Sequence, residues 1–227
     1  MNGTLFLSGG GDERKAYALD EAFMRSLNDS PRVLYIPLAL DRTMRGFEVC
    51  YDWITATLGS HSSNFVDVVM WLDVEGKTVV ELRQFDAIYI GGGNTYKLLS
   101  AFRETGFDSA IKQYLDEGGT VYGGSAGAVI FGQTVRTVPE ENDRQYVHEA
   151  ALGIIGRYSL RCHYTSAEEQ RIRENSIRFG IDALALPEDT GLILNKDGLT
   201  VFGMGIIHFD SSSGEVEPVS NGQSLTL

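Results

Sequence analysis

The sequence predicts an α/β fold in which a doubly wound, mostly parallel sheet is flanked by helices and followed by a C-terminal antiparallel hairpin. Three observations carry this prediction. Short apolar runs that end in Gly or Pro alternate with segments of helical spacing over about the first 120 residues. These runs are apolar at nearly every position, which is typical of parallel strands buried on both faces. From Gly191 onward the pattern becomes that of a hairpin.

The first half of the chain alternates strand and helix. The predicted strand over 4–8 is a short apolar run closed by three glycines, and the helix over 14–27 has one apolar stripe, formed by Ala16, Leu19, Ala22, Phe23 and Leu27. The same patterns predict strands over 32–40, 65–71, 86–90 and 120–122 and helices over 47–58, 96–102 and 107–115. Right-handed crossovers would bring the glycine-rich turns to one edge of the sheet.

The second half is predicted with the same reasoning. A strand over 158–164 precedes a helix over 166–179, and a short apolar strand ends near Glu188. An Asp-Gly turn joins hairpin strands over 192–194 and 199–202, and a turn over 211–214 precedes a last strand over 224–227. No internal repeat, linker or low-complexity segment is evident, so we expect one domain over residues 1–227.

Composition excludes several classes of protein. The 19 basic and 31 acidic residues give a formal charge of −12, so neither nucleic acid nor an anionic membrane is an expected partner. Cys50 and Cys162 lie far apart, which fits neither a disulfide framework nor a metal site. No signal peptide and no membrane-spanning stretch of about 20 apolar residues is evident. We therefore expect a cytoplasmic protein.

The segment VYGGSAGAVI, at 121–130, carries the candidate nucleophile. Its Gly123-x-Ser125-x-Gly127 pattern between a predicted strand and a predicted helix is that of a nucleophile elbow. The turn that begins Gly91-Gly92-Gly93 would lie beside it, so the N–H groups of Gly93 and Ala126 are candidate oxyanion donors. The alternatives are a glycine-rich turn with an idle serine and an ordinary turn capped by Asn94 or Thr95.

A nucleophilic serine needs a base and an orienting acid. His163 follows a predicted strand and is the candidate base, whereas His61, His148 and His208 lie in polar or terminal segments. Glu188 would reach the same edge as candidate acid. Its rivals lie after the elbow helix, and spacing does not rank them: Glu140, Glu141 and Asp143. Adjacent strand residues point to opposite faces, so Cys162 is expected to pack inward.

Five segments together resemble the peptidase E family of serine peptidases, which includes aspartyl dipeptidases and cyanophycinases. They are IGGGNTYKLL, GGSAGA, His-Tyr-Thr after a strand, EEQRIREN and LPEDT, and the resemblance extends to about residue 195. It implies a class I glutamine-amidotransferase-like fold with Ser125 as nucleophile, His163 as base and Gly93 and Ala126 as oxyanion donors. The family offers two placements for the acid, Glu188 and Glu140, of which we choose Glu188.

One position departs from the family pattern. Aspartyl dipeptidases carry an arginine just before the Glu-Gln-Arg-Ile stretch, attributed to binding the aspartyl side chain, and this chain has Glu168 there. A carboxylate cannot replace a guanidinium in anion recognition, so specificity for N-terminal Asp is not implied. Another arginine, such as Arg171, could approach the same group.

The resemblance and the residues together predict a cytoplasmic serine exopeptidase that acts on dipeptides or very short peptides. Neither a metal nor an organic cofactor is expected. The sequence does not fix the oligomeric state, and a homodimer is one option. Two alternatives stand beside this prediction. One is a catalytically silent binding or regulatory protein on the same scaffold, and the other is a different serine hydrolase, such as an esterase or a cyanophycin-like β-aspartyl peptidase.

Overall fold

The computed structural model describes residues 1–40, 46–139, 142 and 145–227, and two sheets organise them. The strands are β1 (Thr4–Ser8), β2 (Arg32–Ile36), β3 (Asp67–Met70), β4 (Ala87–Ile90), β5 (Thr120–Gly124), β6 (Tyr158–Arg161), β7 (Asp182–Ala185), β8 (Thr190–Asn195), β9 (Gly198–Gly203), β10 (Ile206–Phe209), β11 (Val216–Val219) and β12 (Ser224–Leu225).

Helices flank the strands. They are α1 (Tyr17–Arg25), α2 (Phe47–Ser60), α3 (Val79–Leu82), α4 (Thr95–Thr105), α5 (Phe107–Asp116), α6 (Ala126–Val129) and α7 (Glu169–Phe179), the last preceded by a 3-10 turn over Ser166–Glu168. No helix among the described residues is long and apolar enough to cross a membrane.

The main sheet has the strand order β12-β9-β8-β1-β5-β4-β2-β3. Strands β1, β5, β4, β2 and β3 pair in parallel, and the hairpin β8–β9 joins them antiparallel to β1. The predicted mixed α/β fold, with its parallel centre and antiparallel edge, is therefore confirmed. Ser8 pairs with Gly124, so the turns that follow β1 and β5 lie side by side.

Two apolar clusters cover the two faces of this sheet. Leu5, Leu7 and Val121 belong to one cluster, and Phe6 and Tyr122 belong to the other, on the opposite face. Burial on both faces explains why these strands are apolar at every position rather than at alternate ones.

The second sheet was not predicted. It has the order β11-β10-β7-β6, with β6 and β7 parallel and β10 and β11 antiparallel. The segments of β10 and β11 contain His208, Glu217 and Pro218, which weaken the local strand signal.

Several predicted boundaries were too long. The strand predicted over 32–40 ends at Ile36, before Pro37, and the strand over 158–164 ends at Arg161. His163 therefore lies in the segment after β6, and the strand-alternation argument for Cys162 was wrong. Cys162 nevertheless packs inward and is only 2% exposed.

Candidate active site

Ser125 occupies a strained turn between β5 and α6. Its backbone has φ 51° and ψ −113°, and its N–H donates to the carbonyl of Ser8 at 3.2 Å. A Cβ on Gly123 would come within 2.3 Å of the carbonyl oxygen of Gly127, and one on Gly127 within 2.2 Å of that of Ile90. Only glycine fits at these two positions, which is the geometry of a nucleophile elbow.

The His163 side chain reaches the serine from the segment after β6. Its Nε2 lies 2.8 Å from Ser125 Oγ. The His163 backbone has φ 55°, and its N–H donates to the carbonyl of Gly9 at 2.9 Å. The turn after β1 therefore holds the histidine backbone in a conformation that non-glycine residues seldom adopt.

Glu188 completes a hydrogen-bonded chain. Its Oε1 lies 2.8 Å from His163 Nδ1, while its Oε2 accepts a hydrogen bond from Lys15 Nζ at 2.6 Å. The hydrogen bond from Lys15, followed by that from His163, holds the pKa of Glu188 below its ordinary value. The carboxylate is consequently ionised at neutral pH and can hold the imidazole in one orientation.

Lys15 is a site residue that sequence reasoning missed. Its position shortly after the glycine turn of β1, at the edge where the other turns meet, was the available signal. The rival acids Glu140, Glu141 and Asp143 lie outside the described residues.

The two candidate oxyanion donors lie next to Ser125. A Cβ on Gly92 would be 3.1 Å from Ser125 Cβ, so the turn after β4 rests against the serine. Gly93 has φ 137°, and a Cβ there would come within 2.4 Å of the Ala39 carbonyl oxygen. Ala126 begins α6, where backbone N–H groups lack acceptors within the helix. Asn94 caps α4, so this turn is also an ordinary helix start.

The other three histidines lie elsewhere. The His61 ring packs 4.5 Å from the Tyr17 ring, between centroids. His208 Nε2 lies 3.6 Å from Asp182 Oδ2, and His148 lines a cavity of about 660 Å³ to which neither Ser125 nor His163 contributes. That cavity contains no part of this hydrogen-bonded chain.

Two smaller cavities border Ser125, His163 and Gly93. The first, which we call the acidic cavity, measures about 250 Å³ and is lined further by Ser8, Gly10, Gly11, Asp12, Glu13, Ala16, Asp20, Trp53, Tyr89, Gly92, Tyr122 and Gly124. The second, which we call the arginine cavity, measures about 310 Å³ and is lined further by Thr95, Ala126, Val129, Val138, Pro139, Arg161 and Cys162. The cleft around the serine is therefore negative on one side and positive on the other.

The Glu168 position has a partner that sequence reasoning did not anticipate. Glu168 Oε1 accepts a hydrogen bond from Arg161 at 2.5 Å and another from Arg171 at 2.7 Å. Arg171 does approach this region, as the sequence allowed, but it lines neither cavity. The arginine that lines a cavity together with Ser125 is instead Arg161, the last residue of β6.

Gly10→Ala is expected to displace the histidine. A Cβ on Gly10 would lie 2.3 Å from His163 Cε1 and 2.6 Å from Nε2, so the imidazole must move. We expect kcat to fall about 100-fold, because small misplacements of reacting groups have effects of this order. Gly118→Ala is the matched control, since Gly118 also has a positive φ, +103°, but no atom within 4 Å of the added Cβ. Equal kcat losses in the two variants would contradict the prediction.

Asp20→Asn is expected to stabilise the protein at alkaline pH. Asp20 is 2% exposed, accepts a hydrogen bond from Tyr122 Oη at 2.6 Å, and burial raises its pKa to about 6. The folded state therefore binds this proton more tightly than the unfolded state, and stability is lost as pH rises from about 4 to 6. Above that window the raised pKa corresponds to a loss of about 3 kcal/mol in the free energy of unfolding. The neutral amide of the Asp20→Asn variant would avoid this loss and could still accept the hydrogen bond from Tyr122.

The measurement is urea unfolding of both proteins at pH 4 and pH 8. We expect a difference in unfolding free energy that is small at pH 4 and favours the variant at pH 8. Asp182→Asn is the control, and it is expected to destabilise the protein at pH 8. Burial alone would raise the pKa of Asp182, but hydrogen bonds from Ser211 and the charge of Arg157 lower it. A variant that is no more stable than wild type at pH 8 would contradict the argument for Asp20.

A serine in a strand-to-helix turn, hydrogen-bonded to a histidine that is hydrogen-bonded in turn to a carboxylate, defines the class of serine hydrolases. The model of Peptidase family S51 matches residues 4–202. The chain belongs to this family, and it is a peptidase. The resemblance to peptidase E noted in the sequence is thereby confirmed.

Relatives and solved structures agree with this assignment. Peptidase E of Citrobacter koseri and Peptidase E of Escherichia coli (strain K12 / DH10B) are each 28% identical over 156 residues, which cover 63% of this chain and 67% of the relative. The crystal structure of a peptidase from an acI-B1 Actinobacterium has a TM-score of 0.77 at 18% identity and covers 100% of this chain and 98% of that one. A peptidase E protein from Listeria monocytogenes EGD-e has a TM-score of 0.69 at 22% identity, over 90% and 100%. At these identities the structures establish a shared fold.

Proposed function

We propose that this chain is a serine exopeptidase that hydrolyses dipeptides and very short peptides through Ser125, His163 and Glu188, within one catalytic domain over residues 1–227. The observation that carries the proposal is the continuous hydrogen-bonded chain from Ser125 Oγ to His163 Nε2 and from His163 Nδ1 to Glu188 Oε1, with both distances at 2.8 Å.

The chemistry follows from these contacts. His163 accepts the Ser125 proton as Oγ attacks the scissile carbonyl, and Glu188 stabilises the imidazolium that forms. The N–H groups of Gly93 and Ala126 donate to the oxyanion of the tetrahedral intermediate. The imidazolium then protonates the leaving amine, and a water activated by the same histidine hydrolyses the acyl-enzyme. No step calls for a metal or an organic cofactor.

The size of the cleft favours short substrates. The two cavities that border Ser125 measure about 250 and 310 Å³, at or below the small end of ordinary ligand pockets of about 300–1,000 Å³. Each accommodates a small part of a peptide on one side of the scissile bond. The relatives named Peptidase E support the same proposal, because the family that the sequence resembles includes dipeptidases.

The proposal is tested by two measurements on the same preparation. A fluorophosphonate probe, located by peptide mapping, is expected to label Ser125, and a mixed dipeptide library followed by mass spectrometry is expected to show cleavage. Both signals should disappear in Ser125→Ala. Labelling without peptide cleavage, but with turnover of a simple ester, would favour a different hydrolase. Absence of both signals in the wild type would favour a binding protein and contradict the proposal.

A further inference from the structure

Arg161, the last residue of β6, is a buried cation with unused hydrogen-bonding capacity. The residue is 7% exposed, and its Nε has no hydrogen-bond partner within the described part of the chain. Among the described residues, the guanidinium forms one hydrogen bond, which its Nη2 donates to Glu168 Oε1. A guanidinium stays charged at any ordinary pH, and an unpaired buried donor is unfavourable. Arg161 therefore enters the cavity wall as a charged group whose hydrogen bonds to the described residues are incomplete.

The charges around Arg161 do not cancel. Glu168 Oε1 accepts from both Arg161 and Arg171, so two guanidinium groups share one carboxylate. Although burial opposes it, these two arginines hold the pKa of Glu168 below its ordinary value, and the carboxylate is ionised at neutral pH. The cluster of these three residues therefore carries a net charge of about +1 beside the cavity wall.

The surroundings direct this charge toward the reacting serine. Arg161 lines the arginine cavity together with Ser125 and Ala126, and the remaining walls are mostly apolar. Apolar walls strengthen the attraction between Arg161 and an anion, because the local dielectric is low. On the other side of Ser125 the acidic cavity contains Asp20 and two further carboxylates, which repel an anion.

We propose that Arg161 binds a carboxylate group of the peptide substrate inside the arginine cavity. This inference rests on the proposed peptidase function, and it makes Arg161 a specificity-determining residue of the same site. A guanidinium is planar and always charged, and its N–H groups fit the two oxygens of a carboxylate. If the carboxylate is the C-terminal one, a zwitterionic dipeptide lies across Ser125 with its ammonium group toward the acidic cavity and that carboxylate at Arg161.

The carboxylate comes either from the C-terminus of the substrate or from an acidic side chain, and three peptides separate these sources. Ala-Ala carries only the terminal carboxylate, Asp-Ala amide carries only the side-chain carboxylate, and Ala-Ala amide carries neither. The variant Arg161→Gln/Glu168→Gln removes the guanidinium without leaving a half-buried glutamate that has lost one of its two arginine partners. The control is Arg136→Gln/Glu149→Gln, because Arg136 is likewise bonded to a glutamate but lines a cavity without Ser125.

We expect the Arg161→Gln/Glu168→Gln variant to lower kcat/KM about 10- to 100-fold for the peptide whose carboxylate Arg161 binds, chiefly through KM, as the loss of a charge-assisted hydrogen bond implies. Its hydrolysis of Ala-Ala amide and the rate at which an uncharged fluorophosphonate labels Ser125 should match those of the control. A loss confined to Ala-Ala identifies the terminal carboxylate, and a loss confined to Asp-Ala amide identifies the side chain.

Three results would overturn the inference. One is an equal loss for all three peptides, which is the mark of a merely structural role. Another is no loss beyond that of the Arg136 control. The third is a wild-type enzyme that cleaves neither carboxylate-bearing peptide faster than Ala-Ala amide. Failure of the proposed function is distinguished by absence of fluorophosphonate labelling at Ser125 in the wild type, which none of these three results requires.

Discussion

Replacing Ser125 with alanine is expected to lower kcat for the best dipeptide by about a millionfold, the order seen when a nucleophilic serine is removed from a triad. In the proposed mechanism the Oγ of Ser125, which lies 2.8 Å from His163 Nε2, forms the acyl-enzyme. The remaining activity would come from substrate binding and the oxyanion donors.

The measurement is steady-state dipeptide hydrolysis, with urea unfolding to show that Ser125→Ala remains folded. Because serine and alanine meet the same backbone strain at φ 51°, the change should leave stability nearly unaffected. Ser176→Ala is the control, since the Ser176 hydroxyl is buried without a partner among the described residues and lies on α7. Retention of more than about one per cent of kcat in Ser125→Ala would place the nucleophile elsewhere.

Replacing Glu188 with glutamine is expected to lower kcat about ten-thousandfold, as loss of the orienting carboxylate does in other triads. Glutamine keeps the shape of the side chain but loses the charge that stabilises the imidazolium. It can also donate from its amide to His163 Nδ1, which favours the wrong tautomer of the ring. Dipeptide hydrolysis across pH 5–9 is the appropriate measurement, because a change of tautomer is expected to lower the whole profile.

Glu140→Gln and Glu141→Gln are the matched comparisons for Glu188→Gln. Both glutamates were candidates for the acid, and we expect both variants to retain kcat within about threefold of wild type, because Glu188 already supplies the acid of the proposed triad. The assignment is wrong if Glu188→Gln keeps nearly wild-type kcat while Glu140→Gln loses several orders of magnitude.

The parts of this protein that were predictable from sequence are those with a local physical cause. Burial on both faces makes a strand apolar at every position, so β1, β2, β4 and β5 were recognisable from their own residues. The close approaches at Gly123 and Gly127 exclude any side chain, so the Ser125 turn was likewise marked in the sequence. Strand ends were less predictable, because apolar residues continue past β2 and β6.

The second sheet and the ion pair between Lys15 and Glu188 could be found only in the tertiary structure. Strands β10 and β11 contain too many polar residues for a clear local pattern, and they are stabilised by pairing with β7 and with each other. Lys15 and Glu188 are 173 positions apart, and no local pattern records that they meet.

Sequence alone thus determined the α/β architecture, the strained serine turn and the short set of histidine and glutamate candidates, because periodicity and glycine requirements act within a few residues. The tertiary structure alone decided which charges face each side of the serine. Arg161 belongs to an ordinary apolar strand in the sequence, and only its position in the wall of the arginine cavity, with Nε unpaired among the described residues, led to the proposal that it binds substrate. The interaction energy of a charged side chain with a substrate depends on the distance between them and on burial, and both depend on how segments remote in sequence pack together.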